Sequence, residues 1–168
     1  MDNNSIHRFN AERLDGENIS LADYKGKVLL IVNIASQCGF TPQLKDLSEL
    51  KDEFGDKGFE ILAFPSNDFG GQEPLEGGAI ATFCSNYGSN YAIFEKIRVR
   101  GPYADPLYKF LSDKKENGVV SSTPRWNFHK YLIDKEGKVS DFFYPFTKPT
   151  SSKIRKRIQR LLGTADHK

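Results

Sequence analysis

Cys38 is the side chain in this sequence best placed for covalent chemistry. It lies in the run Asn33-Ile34-Ala35-Ser36-Gln37-Cys38-Gly39-Phe40-Thr41-Pro42, directly after Val28-Leu29-Leu30-Ile31-Val32. That apolar, β-branched run reads as a strand buried on both faces. Thr41 is a helix N-cap type, Pro42 suits a first helical position, and Leu44, Leu47 and Leu50 then recur at helical spacing. The thiol therefore falls between a buried strand and a helix N-terminus. There the helix dipole and the free backbone N–H groups favour thiolate over thiol. A thiolate in such a place is a nucleophile; the competing reading is a small buried hydrophobe.

The elements that must hold this cysteine alternate along the chain. Asp15-Gly16 predicts a small N-terminal hairpin. A strand over 28–34 is followed by a helix over 42–54, turn chemistry at 54–58, and a second inner strand over 59–64. Residues 65–74 read as a loop rich in Gly, Asn and Asp, and 75–87 as a weak helix diluted by Gly77 and Gly78. Asp105-Pro106 caps a helix carrying Leu107, Phe110 and Leu111 and ended by Gly118. Segments 126–133 and 139–144 flank Asp134-Lys135-Glu136-Gly137 as a β-hairpin. Ser151 or Ser152 caps a last helix with Ile154, Ile158, Leu161 and Leu162 inward and Gly163 at its end. A β-α-β half followed by a helix and a β-β-α half predicts an α/β protein, a central mixed β-sheet flanked by helices on both faces. That order resembles the thioredoxin-like fold.

Composition narrows the function. The 168 residues, 38% hydrophobic and 27% charged, suffice for one domain over 1–168 with a substantial core. A formal net charge of +2 leaves no footprint for nucleic acid. Residues 1–5 carry neither a basic n-region nor an apolar h-region, and no apolar stretch is long enough to cross a bilayer. The expectation is a cytoplasmic protein without stable membrane insertion, in which two cysteines are chemical rather than a permanent staple. His7, His129 and His167 show no ligand spacing, so no metal site is expected. His129 is at most a minor candidate base beside Asn127; a solvated strand position is the simpler reading. Gly70-Gly71 is no phosphate loop, since no GK[ST] or GxGxxG pattern accompanies it. The basic run Lys153, Arg155, Lys156, Arg157 and Arg160 reads first as a solvated helix face.

Three stretches carry a resemblance. The segment from Asn33 to Thr41 is similar to the first signature of the glutathione peroxidases, where animal selenoenzymes hold selenocysteine in place of Cys38. Phe64-Pro65-Ser66-Asn67-Asp68-Phe69-Gly70-Gly71-Gln72-Glu73-Pro74 resembles the second signature and Trp126-Asn127-Phe128 the third. They stand in the family's order and spacing, and the similarity runs over about residues 7–163. The resemblance, to the non-selenium two-cysteine type, implies a thiol peroxidase that reduces hydrogen peroxide and organic or lipid hydroperoxides. It implies Cys38 as the peroxidatic nucleophile, with Gln72, Trp126 and Asn127 as polar partners. The chemistry agrees: amide NH₂ and indole N–H groups can hold developing charge and help protonate a leaving oxygen. Taken singly, these residues read as a solvated loop glutamine, a core anchor and a turn-binding asparagine.

Cys84 shares a helical face with Ile80 and Tyr87, so core packing is one reading. The resemblance supplies another. Phe83-Cys84, ahead of Ala92-Ile93-Phe94, matches the resolving cysteine of the two-cysteine members, which implies a Cys38–Cys84 disulfide recycled by a thioredoxin-like reductant. Many relatives carry a third cysteine where this chain has Ser66. Residues 99–108 lack the loop with which tetrameric animal members assemble, which implies a monomer with an open site. No cofactor is implied. A disulfide reductase or isomerase would want Cys-x-x-Cys, which Gly39-Phe40-Thr41 does not supply. A papain-like hydrolase would want a histidine paired with Cys38. A peroxide-sensing relay that passes its disulfide to a client protein uses the same residues and remains the alternative.

Overall fold

The computed structural model describes residues 4–163. The first elements are a small antiparallel hairpin, β1 (Asn10–Glu12) and β2 (Asn18–Ser20), closed around Asp15-Gly16. Next come β3 (Val28–Ile34), α1 (Gln43–Phe54) and β4 (Phe59–Pro65). Strands β3 and β4 run parallel, from Val28 opposite Phe59 to Ile34 opposite Pro65. Helix α2 (Gly78–Ser85) leads to the short β5 (Ala92–Ile93), which pairs parallel to β4. Two short helices, α3 (Pro106–Ser112) and α4 (Lys114–Asn117), precede β6 (Lys130–Ile133), β7 (Val139–Phe143) and α5 (Ser152–Leu162). The main sheet has the order β5-β4-β3-β6-β7, with β6 antiparallel to β3. The hairpin covers its β5 edge: Leu14 N–H donates to the Ile93 carbonyl and Glu95 N–H to the Glu12 carbonyl.

Every residue of β3 is buried, as its apolar run predicts. Successive side chains leave the sheet on opposite faces. Val28, Leu30 and Val32 pack with Leu44, Leu47 and Leu50 of α1, Ile80 and Cys84 of α2, and Ile154 and Ile158 of α5. Leu29 and Ile31 pack with Leu107, Phe110 and Leu111 of α3. Helices thus cover both faces of a mixed sheet, as the element order predicts. Each buried leucine contributes about 1.5–3 kcal/mol of transfer free energy. The caps at α3 and α5 also match the sequence: Asp105 Oδ1 accepts from Leu107 N–H at 3.0 Å, and Ser151 Oγ from Ile154 N–H at 3.4 Å.

Four local expectations are corrected. Helix α1 begins at Gln43, and Thr41 does not cap it. Its hydroxyl instead donates to the Ala35 carbonyl and accepts from Cys38 N–H, both at 2.9 Å. Helix α2 is shorter than 75–87, because Gly77 at φ 51° and ψ −130° lies outside helical space. The 105–118 segment breaks at Asp113, which is extended at φ −115° and whose carboxylate caps α4 through Lys115 N–H. The strand expected from 126 begins only at Lys130. Residues 126–128 turn instead, with Phe128 left-handed at φ 69°.

Candidate active site

The carboxyl ends of β3 and β4 and the amino end of β6 meet at one edge of the sheet, since Ile34 pairs with Pro65 and Val32 with Lys130. Each carries one piece of the site. Cys38 follows β3, Gln72 follows β4, and Trp126 and Asn127 precede β6.

The Cys38 loop is tied at several points. Thr41 Oγ1 holds the Cys38 N–H, Gln37 N–H donates to the Gln72 carbonyl at 2.9 Å, and Ser36 Oγ donates to Glu73 Oε1 at 2.6 Å. These bonds clamp the Cys38 loop to the Gln72 loop. Cys38 is half-buried, and its sulfur accepts from Phe40 N–H at 3.4 Å. A backbone N–H of the loop that precedes α1 therefore reaches the sulfur.

The Gln72 loop can return toward β6 because Gly70 and Gly71 are both left-handed, at φ 65° and 64°. A Cβ on Gly70 would already lie 3.6 Å from the Trp126 ring. Asn127 is fully buried, and its Nδ2 donates to Gln72 Oε1 at 2.9 Å. That bond leaves Gln72 Nε2 with no partner among the described residues, a donor still available to a ligand. Trp126 is 36% exposed, packs 5.8 Å from the Phe69 ring, and likewise has a free indole N–H among the described residues. So Gln72 and Asn127 are joined directly, and Trp126 immediately precedes Asn127 in the chain. None of the three hydrogen-bonds the Cys38 sulfur.

Cys84 is a free thiol, 2% exposed, on α2. Burial pushes its thiol up to about 12, with the nearby Glu73 charge adding to the effect. It belongs to the same core against which Cys38 packs. The segment that follows α2 is latched to α1: Ser48 Oγ donates to the Tyr87 carbonyl at 3.1 Å, and Asn90 Nδ2 to Asp52 Oδ1 at 2.7 Å.

His129 is not a solvated strand position. It is buried before β6, with Nε2 3.1 Å from Ser122 Oγ, and burial pulls it down to about 4, the Lys130 charge assisting. It is a neutral ring packed among Tyr131, Phe142 and Tyr144.

The glutathione peroxidase family model matches residues 6–112. A hydroperoxy fatty acid reductase of Synechocystis is 46% identical over 166 residues, covering 95% of this chain and 97% of its own. The chain belongs to the glutathione peroxidase family. The crystal structure of T. cruzi GPX1, at 32% identity, superposes with a TM-score of 0.75 over 96% of this chain and 98% of that one. A thioredoxin-family thiol:disulfide interchange protein from Chlorobium tepidum, 18% identical, shares the fold at a TM-score of 0.66 over 92% and 93% of the two chains. The fold is thus thioredoxin-like. As a glutathione peroxidase family member the chain is a hydroperoxide-reducing oxidoreductase. Its substrate is a hydroperoxide and its reductant a thiol.

Four residues that hydrogen-bond the loops around these side chains escape sequence reasoning: Asn33, which donates to the Trp126 carbonyl, Ser36 and Glu73, which bond each other, and Lys130, which donates to the Phe128 carbonyl. Asn33 is a polar residue near the end of an otherwise apolar buried strand. Lys130 opens an equally apolar one. In each case the mismatch is the available signal. Glu73 and Ser36 carry no comparable mark, since both lie in loops that read as solvated.

Proposed function

We propose that this chain reduces hydroperoxides through a Cys38 sulfenic acid and a Cys38–Cys84 disulfide that a thioredoxin-like dithiol recycles. The Cys38 thiolate attacks one peroxide oxygen and the O–O bond breaks. The sulfur, oxidised by two electrons, keeps that oxygen as a sulfenic acid, and the other oxygen leaves as an alkoxide that takes a proton and departs as alcohol or water. The Cys84 thiolate then attacks the Cys38 sulfur. An S–S bond forms, the S–O bond breaks, and hydroxide leaves as water after taking the proton released by Cys84. A dithiol reductant attacks the disulfide, is itself oxidised to a disulfide, and returns both thiols.

Gln72, Trp126 and Asn127 are the donors to the developing oxyanion. The observation that carries this reading is the Asn127 Nδ2 to Gln72 Oε1 bond, formed on a loop clamped to that of Cys38. It turns the free Gln72 NH₂ group into a fixed donor at the reacting edge. Substrates include lipid hydroperoxides as well as hydrogen peroxide, and the chain acts as a monomer and a single domain. Two free thiols suit a reducing cytoplasm. Among the described residues no helix is long and apolar enough to cross a membrane.

The test is a steady-state comparison of donors. Thioredoxin with its reductase should support hydroperoxide consumption far faster than glutathione under matched conditions. A clear preference for glutathione contradicts the disulfide route.

A further inference from the structure

Lys130 is the first residue of β6 and is completely buried. Among the described residues no carboxylate forms an ion pair with it. Its ammonium donates instead to two backbone carbonyls, Phe128 at 2.7 Å and Pro145 at 3.2 Å. A long cation buried for the sake of two carbonyls is costly, and burial pulls this amine down to about 7, with only the Asp46 charge of α1 opposing. Such a group makes physical sense when the carbonyls it holds matter.

The Phe128 carbonyl belongs to the one non-glycine residue with positive φ among the described residues. Phenylalanine is sterically disfavoured in that region, and the conformation persists only where its surroundings over-determine it. Three bonds do so. Phe128 N–H donates to the Asn33 carbonyl at 2.6 Å, Asn33 Nδ2 donates to the Trp126 carbonyl at 3.1 Å, and Lys130 Nζ holds the Phe128 carbonyl. Asn33 secures the turn from strand β3; Lys130 secures it from within β6. Between these points lies Asn127, whose Oδ1 has no partner among the described residues. Its side chain is therefore aimed by the turn and by the single bond to Gln72. The Pro145 carbonyl, also held by Gln43 Nε2 at 2.7 Å, anchors the far side of the ammonium.

We propose that Lys130 is a positioning residue for peroxide reduction: by donating to the Phe128 carbonyl it fixes the left-handed turn that aims Asn127 at Gln72. This rests on the reading of Gln72 and Asn127 as donors to the reacting oxygen. Lys130 does not touch the substrate. It acts by keeping the amide pair within the fraction of an ångström that a preformed donor requires.

The experiment is stopped-flow oxidation of Cys38 by hydrogen peroxide in wild type, Lys130→Met, Lys130→Gln, Asn127→Ala and the Lys130→Met/Asn127→Ala double variant. Two controls run beside it. One is alkylation of Cys38 by iodoacetamide, which needs the sulfur but not the amide pair. The other is the emission of Trp126, the sole tryptophan, which sits in the turn itself. Lys130→Met should slow peroxide oxidation about tenfold to a hundredfold, leave alkylation unchanged and shift the Trp126 emission. Lys130→Gln keeps a shorter N–H donor and should fall between, severalfold slower than wild type. In the Asn127→Ala background Lys130→Met should add no further loss. A wild-type rate in Lys130→Met with a slow Asn127→Ala overturns this proposal and leaves the amide pair standing. A wild-type rate in Asn127→Ala removes the amide pair and this proposal together. Equal losses of peroxide and iodoacetamide reactivity make Lys130 a general core support, which also overturns it. If Lys130→Met does not fold, a wild-type rate in Lys130→Gln decides against the proposal.

Discussion

The two cysteines of this chain sit in opposite surroundings within a few elements of each other. Cys38 is half-buried on a loop fixed by Thr41, Gln72 and Glu73, with a backbone N–H on its sulfur. Cys84 is sealed in the apolar core on a short helix that begins next to Gly77, its thiol pushed up to about 12. One environment presents a sulfur and the other withholds it. On the proposed route, this contrast gives two chemically equal thiols an order of reaction. The first must be accessible to peroxide and rigid. On the proposed disulfide route the second stays protonated and hidden until the first is oxidised, and opening α2 then delivers it. Short helices with few capping bonds open at little cost, and α2 has no side-chain N-cap.

The comparison breaks most severely at Cys38. Cys38→Ser should abolish peroxidase turnover while leaving the thermal unfolding transition close to wild type; retained turnover would falsify the enzymatic assignment of this sulfur. Cys84→Ser should lose thioredoxin-dependent turnover yet react once with peroxide at the wild-type rate, stalling as a sulfenic acid that mass spectrometry can follow into higher oxides. Sustained turnover in that variant would make Cys84 a core residue only. A smaller effect sharpens the contrast. Asn90→Ala removes the bonds to Asp52 Oδ1 and the Ser48 carbonyl that latch the segment after α2 to α1. Disulfide closure after peroxide addition should then accelerate about twofold to tenfold, within the net worth of one or two hydrogen bonds from an exposed side chain, with the first oxidation unchanged. Closure at the wild-type rate would show that α2 opens without releasing this latch.

The smallest expected effect concerns pH. The folded Cys84 thiol is raised from an ordinary 9.0 to about 12, chiefly by burial. Between those values the unfolded thiol ionises and the folded one does not. Stability is therefore fully present below pH 9 and is lost as pH rises through the window, by at most about 1.4 kcal/mol per unit. Cys84→Ala removes this contribution, so its urea midpoint should fall less from pH 8 to pH 10 than that of wild type. Parallel declines would mean that Cys84 is far less shielded than its packing indicates.

Much of the fold is legible in the residues alone. The strands β3 and β4 show as uninterrupted apolar runs, and Asp105-Pro106 and Ser151 mark helix starts that the backbone then uses. Cys38 is legible because its loop must lie between such a strand and a helix. The Trp126-Asn127-Phe128 turn is not, because Trp126 and Phe128 are strand types that run on into the apolar strand residues after them. The left-handed Phe128 is bonded by Asn33, which is distant in the chain, and by Lys130, whose charge suggests solvent rather than a buried bond. Thr41 misleads for a similar reason: its hydroxyl finds the Ala35 carbonyl, a partner within reach only once the loop has closed. Local preference identifies elements; tertiary hydrogen bonds decide where they stop.

Peptide mapping by mass spectrometry of the wild-type protein oxidised with one equivalent of hydrogen peroxide tests the central claim most directly. The predicted result is a single Cys38–Cys84 link within one chain, with hydrogen exchange of 77–90 raised relative to the reduced protein. A product that keeps Cys84 reduced, or that holds only disulfides between chains, would contradict it.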